Sequence, residues 1–578
     1  MSDTPGGAPS GGPKPFFWIV MAVLVVGLGY LGFSRISKRA GGAGGTFSSQ
    51  EMANVKGNVE APDSMGVTTV KEYTFTPASK LPEVKGAAAY QPMAEGRVVR
   101  QALNVWAGWA PIVLANNGMK PGKVWTDANG KPFKLELVLI DDPIAMRDAF
   151  ASGKIHIGWG TLDMVRLFAQ GLRKDSRTMP RVFSQTDFSN GGDGIVVRNN
   201  VKTVADLRGR TCVLAQNSPS HFFLLNALIN GGVQPSEVTM KFTADAFQAA
   251  AAFNSDKKID CVVTWSPDIY NLEKIPGNKM LVSTQTANKL IADVWMVRAD
   301  FAKDHAPIIE GLMRGQFDAI ETLKTEEGKA KAAKLLADAY SIPETDARNM
   351  LGDAHLTNYA ESRAFLMDAN NPANAERIWN NADFLYRRIG VLDADKVTFD
   401  QVIDFSILDK LNREPKYANS KDEYAVTFVP TTATAVQAES NEILTKTVVI
   451  QFFPNSDDLD KTVLTPDGKQ TPYDPNVKPV VEEIGNLAAQ YGNARIIIEG
   501  HTDASMRGQV DPSAVKELSL RRANAVKQAL VRRFPKLQPN QFVAAGLGWD
   551  RPADPADPDN NTRNRRVEVK VYPLEAVK

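Results

Sequence analysis

The chain has 578 residues, 43% hydrophobic and 23% charged, with 67 Lys and Arg against 66 Asp and Glu. At about 150 residues per domain this length implies several cores; the composition excludes a wholly disordered chain; and a net charge of +1 removes the bulk attraction that draws a protein to nucleic acid. Two cysteines, Cys212 and Cys261, exclude a disulfide scaffold and a four-cysteine zinc site, and no H-E-x-x-H, G-x-x-x-x-G-K-[ST] or G-x-S-x-G motif is present, so neither a metal nor a cofactor is expected.

Residues 1–15 are Gly/Pro-rich and read as a short cytoplasmic tail. Residues 16–33, FFWIVMAVLVVGLGYLGF, form an uncharged apolar run with an aromatic end. As a helix it spans about 27 Å against a hydrocarbon core of about 30 Å, which predicts a single transmembrane helix. A cleaved signal peptide is the competing reading; SRISKRAGG is a poor cleavage site for it. Arg35, Lys38 and Arg39 follow the run and by themselves favour a cytoplasmic C-terminal side, but long domains translocate regardless of local charge. Residues 34–97 are small and polar and read as a linker, with a possible short strand in VTTVKEYTFT at 67–76.

Residues 98–412 alternate apolar strands with amphipathic helices, and four strand ends run straight into helix starts. These are LNVWAGWAP with Trp109 and Pro111, HIGWGTLDMV with Thr161, VLAQNSPSHFF with Ser218 and Pro219, and CVVTWSPDIY with Trp265, Ser266 and Pro267. Ser or Thr at the cap and Pro in the first turn are start signals. Four helix N-termini at the C-terminal ends of strands make a cleft suited to an anion, with Trp109 and Trp265 as aromatic walls. NVWAGWAPIVLANNG, DGIVVRNNVKTVADLRGRTCVLA and AAFNSDKKIDCVVTWSPD resemble periplasmic solute-binding proteins of the taurine, nitrate and thiamine-precursor type. That resemblance implies a two-lobed type II periplasmic-binding fold, lobe one being 98–193 with 290–412 and lobe two 194–289. It implies a small anionic or organic ligand, with Trp109, Thr161, Ser218, Ser220 and Trp265 at the matching cleft positions. Cys212 and Cys261 both begin strands of lobe two, and a bridge and two buried thiols remain alternatives.

Residues 413–442 are polar and read as a second linker, and residues 443–578 follow the order β-α-β-α-β-β of a small α/β sandwich. In the helix at about 513–533, Val515, Leu518, Arg522, Val526 and Ala529 fall on one face, so Arg522 interrupts an apolar stripe. A charge there needs a partner. Asp503, at the end of RIIIEGHTD, supplies either an internal salt bridge or, with Arg522, the two poles of a site for a zwitterion. EGHTD, LSLRRANAV and NRRVEVKV resemble the OmpA/MotB C-terminal domain. The resemblance implies peptidoglycan binding through the diaminopimelate of the stem peptide, with Asp503 on its ammonium and Arg522 on its carboxylate. Thr502 belongs to the same loop, and Asn564, Arg565 and Arg566 match the closing motif. Val515 stands where that family has asparagine, and the loop ASMRGQVDPSAVKE is longer.

Together these readings predict a non-enzymatic protein of the inner membrane, single-pass, with its bulk in the periplasm, bound to peptidoglycan and carrying a solute-binding module. The alternatives are a stator-like subunit with a multi-span membrane partner, or the capture component of an ABC importer. The first lacks the titratable carboxylate that an ion-carrying span requires. An enzyme is disfavoured because no nucleophile–base or paired-carboxylate arrangement stands out.

Overall fold

The computed structural model describes residues 67–393, 396–424 and 426–574. The expected tail, the apolar run 16–33 and the first part of the 34–97 segment therefore lie outside the described residues. Among the described residues no helix is long and apolar enough to cross a membrane.

Two sheets build the middle of the chain. The first contains β2 (Val98–Leu103), β3 (Val124–Thr126), β4 (Pro132–Leu139), β5 (Ile157–Thr161), β6 (Pro180–Ser189), β12 (Ala292–Arg298) and β13 (Ala354–Leu356), in the order β13-β6-β12-β5-β2-β4-β3. The second contains β1 (Phe75–Thr76), β7 (Asp193–Arg198), β8 (Thr211–Ala215), β9 (Thr239–Thr243), β10 (Cys261–Trp265) and β11 (Asn278–Ser283), in the order β1-β9-β8-β10-β7-β11. The chain leaves the first sheet after β6 and returns to it with β12, so two crossovers, 190–192 and 284–291, join two lobes. They are tied to each other: Thr284 Oγ1 accepts from Gly191 N at 2.9 Å and from Asp193 N at 3.1 Å, and lies 2.7 Å from Ser189 Oγ. Strands such as IVV in β7 and VVTW in β10 are buried on both faces and accordingly lack alternation.

Cys212 and Cys261 stand opposite each other on the parallel strands β8 and β10 and form a disulfide, the bridged alternative of the two left open by the sequence. Residues 67–97 are laid over both lobes: β1 pairs with β9, and Arg147 and Arg298 bind the carbonyls of Pro82, Glu83 and Ala88. Residues 413–442, polar in composition, carry two short helices, Pro415–Ala418 and Ala433–Glu439.

The C-terminal sheet has the order β14-β19-β17-β18, made by β14 (Leu444–Val448), β17 (Ala494–His501), β18 (Phe542–Gly548) and β19 (Arg566–Pro573). Helices Val477–Gln490 and Pro512–Arg533 complete the β-α-β-α-β-β order; a small hairpin, β15 (Thr462–Leu464) with β16 (Gln470–Pro472), is inserted after the first strand. Gly500 and Gly546 let helix Pro512–Arg533 come down onto the sheet, because a Cβ on either would collide with the helix backbone at Ser519 or Lys516. This close approach turns Ser519, Arg522, Ala523, Val526 and Leu530 inward, a slightly different stripe from the one expected, with Arg522 still on it.

The C-terminal unit rests on both lobes and on a crossover. Gln490 accepts from Asn226 of lobe two at 3.0 Å and from Lys289 N of the crossover at 3.2 Å, and Arg377 of lobe one reaches Glu482 at 3.0 Å and Asn486 at 2.9 Å.

The disulfide closes a loop of 49 residues within lobe two. Closing a loop of that length restricts the unfolded chain by about 4 kcal/mol. We expect reduction, or Cys212→Ala with Cys261→Ala, to lower the urea midpoint of the purified protein by that order of free energy. Coincident unfolding curves with and without reductant would refute this.

Candidate functional sites

In the C-terminal unit, β17 delivers Thr502 and Asp503 to the rim of the sheet, where Thr502 N donates to Gly548 O at 2.8 Å. Asp503 does not pair with Arg522. One carboxylate oxygen accepts from Ser505 N at 3.1 Å and from Ser505 Oγ; the other accepts from Arg565 Nε. Burial works to raise its pKa, but the bonds from Ser505 and Arg565 outweigh it and hold the carboxyl below the usual range. The Asp503 side chain is only 5% exposed while that of Arg565 is 48% exposed, so the partner is the movable half of the pair. Arg522 reaches the other way. Its Nε donates to Ser456 O at 3.0 Å and its guanidinium lies 4.8 Å from the Phe452 ring centroid. Burial, and next the Arg565 charge, push its pKa down to about 10.

A cavity of about 330 Å³ opens beside them, lined by Arg522, Arg565, Arg566, His501, Phe452 and Tyr473 among others. Arg522 and Arg565 thus line one space, and Arg565 connects it to Asp503; the Thr502 hydroxyl is buried without a hydrogen-bond partner. Arg566 lines the cavity but is committed to Glu568 at 2.6 Å and to Arg551 O at 3.0 Å. Asn564 is fully buried, donates to Asp557 O and Asn560 O and accepts from Asp554 N, so it pins the loop 554–560.

In the middle domain, Trp265 of lobe two donates to Val105 O of lobe one at 3.0 Å and bridges the lobes, whereas Trp109 is wholly buried in lobe one against Asn104 Oδ1 at 2.7 Å. Thr161 and Ser218 occupy cap positions with extended backbone, but neither side chain caps its helix; Ser218 Oγ donates back to Ala215 O at 2.8 Å. The fourth helix starts later than expected: Ser266–Pro267 is a cis peptide, Pro267 is at the cap and the helix begins at Asp268. Ser220 and Ser266 are wholly buried; the Ser220 hydroxyl lacks a partner, and that of Ser266 faces the Asp353 carboxyl.

The sequence reading missed the carboxyls. Across β5, β12 and β6 the register sets Thr161 opposite Asp293 and Asp293 opposite Asp187, so these three side chains share one face. Asp163 follows in the next helix turn, Asp193 opens β7 opposite Trp265, and Asp353 accepts from Tyr270 OH of lobe two. Trp106 Nε1 donates to Asp187 Oδ1 at 3.1 Å. Burial pushes Asp163 and Asp193 up to about 7 and Asp353 up to about 6, and holds Asp187 and Asp293 high together. The available signal was a charge inside an apolar run, IADVWMV for Asp293 and TLDMVRLF for Asp163.

A carboxyl whose pKa is raised by folding binds its proton more tightly in the folded state. Its contribution is complete below the unfolded value near 4 and is lost as pH rises through about 7. Wild type is therefore expected to lose thermal stability from pH 5 to 8 relative to Asp187→Asn, which keeps an acceptor for Trp106, the gap widening by several degrees. Melting curves of both proteins across that range check this, and a gap independent of pH contradicts it.

Residues 467–566 match the OmpA family model. The taurine-binding periplasmic protein of Escherichia coli (strain K12) is 28% identical over 222 residues, 36% of this chain and 65% of its own. Outer membrane protein Omp38 of Acinetobacter baumannii (strain ATCC 17978) is 37% identical over 92 residues, 16% of this chain and 24% of its own. The chain thus spans less than two thirds of the first relative's length and about a quarter of the second's. Among solved structures, the periplasmic aliphatic sulphonate binding protein SsuA from Escherichia coli aligns with 53% of this chain and 96% of its own at 20% identity and a TM-score of 0.42.

Proposed function

We propose that the protein is a non-catalytic component of the cell envelope that grips peptidoglycan through residues 443–578 and holds a small solute between the two lobes of its middle domain. The observation that carries the first part is the arrangement of Asp503. It is a buried carboxylate whose cationic partner, Arg565, is half exposed, beside a cavity that Arg522 also lines. The ammonium of a diaminopimelate residue replaces Arg565 on Asp503, and its carboxylate takes the cavity side of Arg522, which burial keeps short of water. The displaced Arg565, already half exposed, turns to solvent, and the incoming ammonium replaces its charge and hydrogen bond on the buried Asp503. The match of this unit to the OmpA family supports the same reading.

Similarity to a taurine-binding protein supports the second part, as do two lobes joined by two hydrogen-bonded crossovers. In this reading residues 16–33 anchor the chain in the inner membrane and everything after them lies in the periplasm. A disulfide in lobe two suits an oxidising compartment.

The test is retention of the full chain by insoluble peptidoglycan. Wild type sediments with it, and Asp503→Ala or Arg522→Ala lowers affinity about tenfold or more, as losing a charge-assisted hydrogen bond of about 1.5–3 kcal/mol implies. Arg565→Ala binds at least as well as wild type, because its guanidinium competes with the ligand. Equal retention of the first three proteins removes the assigned site; retention of none removes the function.

A further inference from the structure

A buried imidazole in the C-terminal sheet has no hydrogen-bond partner. We propose that Glu499, His501 and Glu568 form a site for one divalent first-row transition-metal ion such as zinc, bordering the cavity that Arg522 and Arg565 line.

Strand geometry builds the site. The two-residue period puts Glu499 and His501 on one face of β17, and the register sets Glu568 of β19 opposite Glu499. His501 Nε2 lies 3.8 Å from Glu499 Oε2 and 3.7 Å from Glu568 Oε2, too far to be hydrogen-bonded to either. One ligand atom from each of the three side chains lies within 4.8 Å of the others. Around a tetrahedral ion with bonds of about 2.0–2.1 Å, ligand atoms sit about 3.4 Å apart, so an ion would draw the imidazole and carboxylates together by a few tenths of an ångström.

His501 is the independent sign of a ligand. Its side chain is 0% exposed, and Nδ1 and Nε2 are both buried without a hydrogen-bond partner. A neutral imidazole carries one N–H and one lone pair, and protein interiors seldom leave both idle. That lone pair is a preferred ligand of zinc and its neighbours. The cavity of about 330 Å³ that His501 lines supplies a route from solvent.

The carboxylates are turned to match. Glu499 Oε1 accepts from Gln437 Nε2 at 3.2 Å, and Glu568 Oε1 accepts from Arg566 Nε at 2.7 Å. Each glutamate thus has one oxygen fixed by an outer donor and the other, Oε2, nearest His501. Outer donors orient the ligands of metal sites in the same way. Lys570 is the cation that a metal ion displaces. Its ammonium is 3.2 Å from Glu499 Oε2 and 3.7 Å from Glu568 Oε2, but it is also 3.4 Å from Glu442 Oε2, which remains to receive it. The ammonium neutralises the glutamates and leaves the imidazole unmet, whereas a metal ion accepts lone pairs from all three side chains at once. One imidazole with two carboxylates suits an ion of the zinc type better than Mg²⁺ or Ca²⁺, which take oxygen ligands.

The test is calorimetric titration of the untagged full chain in detergent with zinc chloride and, in parallel, calcium chloride. Wild type is expected to take up one zinc ion per chain at this site. His501→Gln and Glu568→Gln each weaken zinc binding at least tenfold, whereas His355→Gln, in the middle domain, leaves it unchanged; melting curves establish that the variants are folded. Should the first two fail to fold, the reading passes to Lys570→Met, which keeps all three ligands and removes the competing ammonium. At least tenfold tighter zinc binding is then expected, and unchanged or weaker binding overturns the proposal. No saturable zinc uptake by wild type overturns it, as does uptake that His501→Gln and Glu568→Gln leave unaltered. Calcium bound as tightly as zinc, and lost in the same variants, overturns the assigned class of ion.

Discussion

An ionisable group withdrawn from water must bring a counter-charge, a set of hydrogen bonds or a proton, and both ends of this molecule are organised by that requirement. In the C-terminal unit the requirement is met by exchangeable partners. Asp503 is satisfied by Ser505, which is local in sequence, and by Arg565, which is half exposed and comes from the loop before β19. Arg522 is satisfied by carbonyls of 453–456 and a phenylalanine face. Two opposite charges are thus held apart, each with a partner that does not consume it. Between the lobes the same requirement is met by protons, because among the described residues no ion pair joins a cation to these carboxyls.

The two regions are mechanically connected. Helix Val477–Gln490 of the C-terminal unit ends against Asn226 in lobe two and Lys289 in the crossover, while Arg377 of lobe one holds Glu482 and Asn486 on the same helix. Asn493, just beyond the helix, donates to Gln285 O at 2.9 Å, again in the crossover. Any rotation of one lobe against the other about residues 190–192 and 284–291 must break or stretch some of these bonds. The C-terminal unit therefore biases the lobes towards the arrangement that preserves these bonds.

What could be read from the sequence follows from how local each cause is. The α/β alternation of residues 98–412 and the β-α-β-α-β-β order of the C-terminal unit rest on periodicity and turn signals within a few residues, and these were legible. Arg522 was legible for a related reason: a guanidinium on an apolar helical stripe is a local contradiction that demands a tertiary answer. The same logic applied to Asp293 in ADVWMV and Asp163 in LDMVRLF would have found the interlobe carboxyls. Asp293 escapes notice in the sequence because a short strand buried on both faces offers no polar face against which a charge looks misplaced. That Asp503 meets Arg565 before Arg522 was not legible, since 62 residues separate them and only the closing turn before β19 brings them together. The polar segment 413–442 shows the limit of composition: Tyr424 donates to Asn190 Oδ1 at 2.9 Å, and helix Ala433–Glu439 packs Val436 against Ile497 and Val543.

The outer face of the C-terminal sheet shows why the interlobe carboxyls differ from ordinary buried charge. Glu499 and Glu568 stand opposite each other on β17 and β19, with His501 two residues along the same face. Burial pushes His501 down to about 4, so it is neutral near pH 7. The two glutamates are balanced by Lys570, 3.2 Å from Glu499, and by Arg566, 2.6 Å from Glu568; Gln437 of the covering helix donates to Glu499 at 3.2 Å. Two negative charges meet two positive ones, while Glu499 Oε2 and both His501 ring nitrogens stay buried without a hydrogen-bond partner. Among the described residues the interlobe carboxyls have no such bases, and burial leaves them protonated instead. Equal degrees of burial are therefore met in two ways, by counter-charge in one place and by protons in the other.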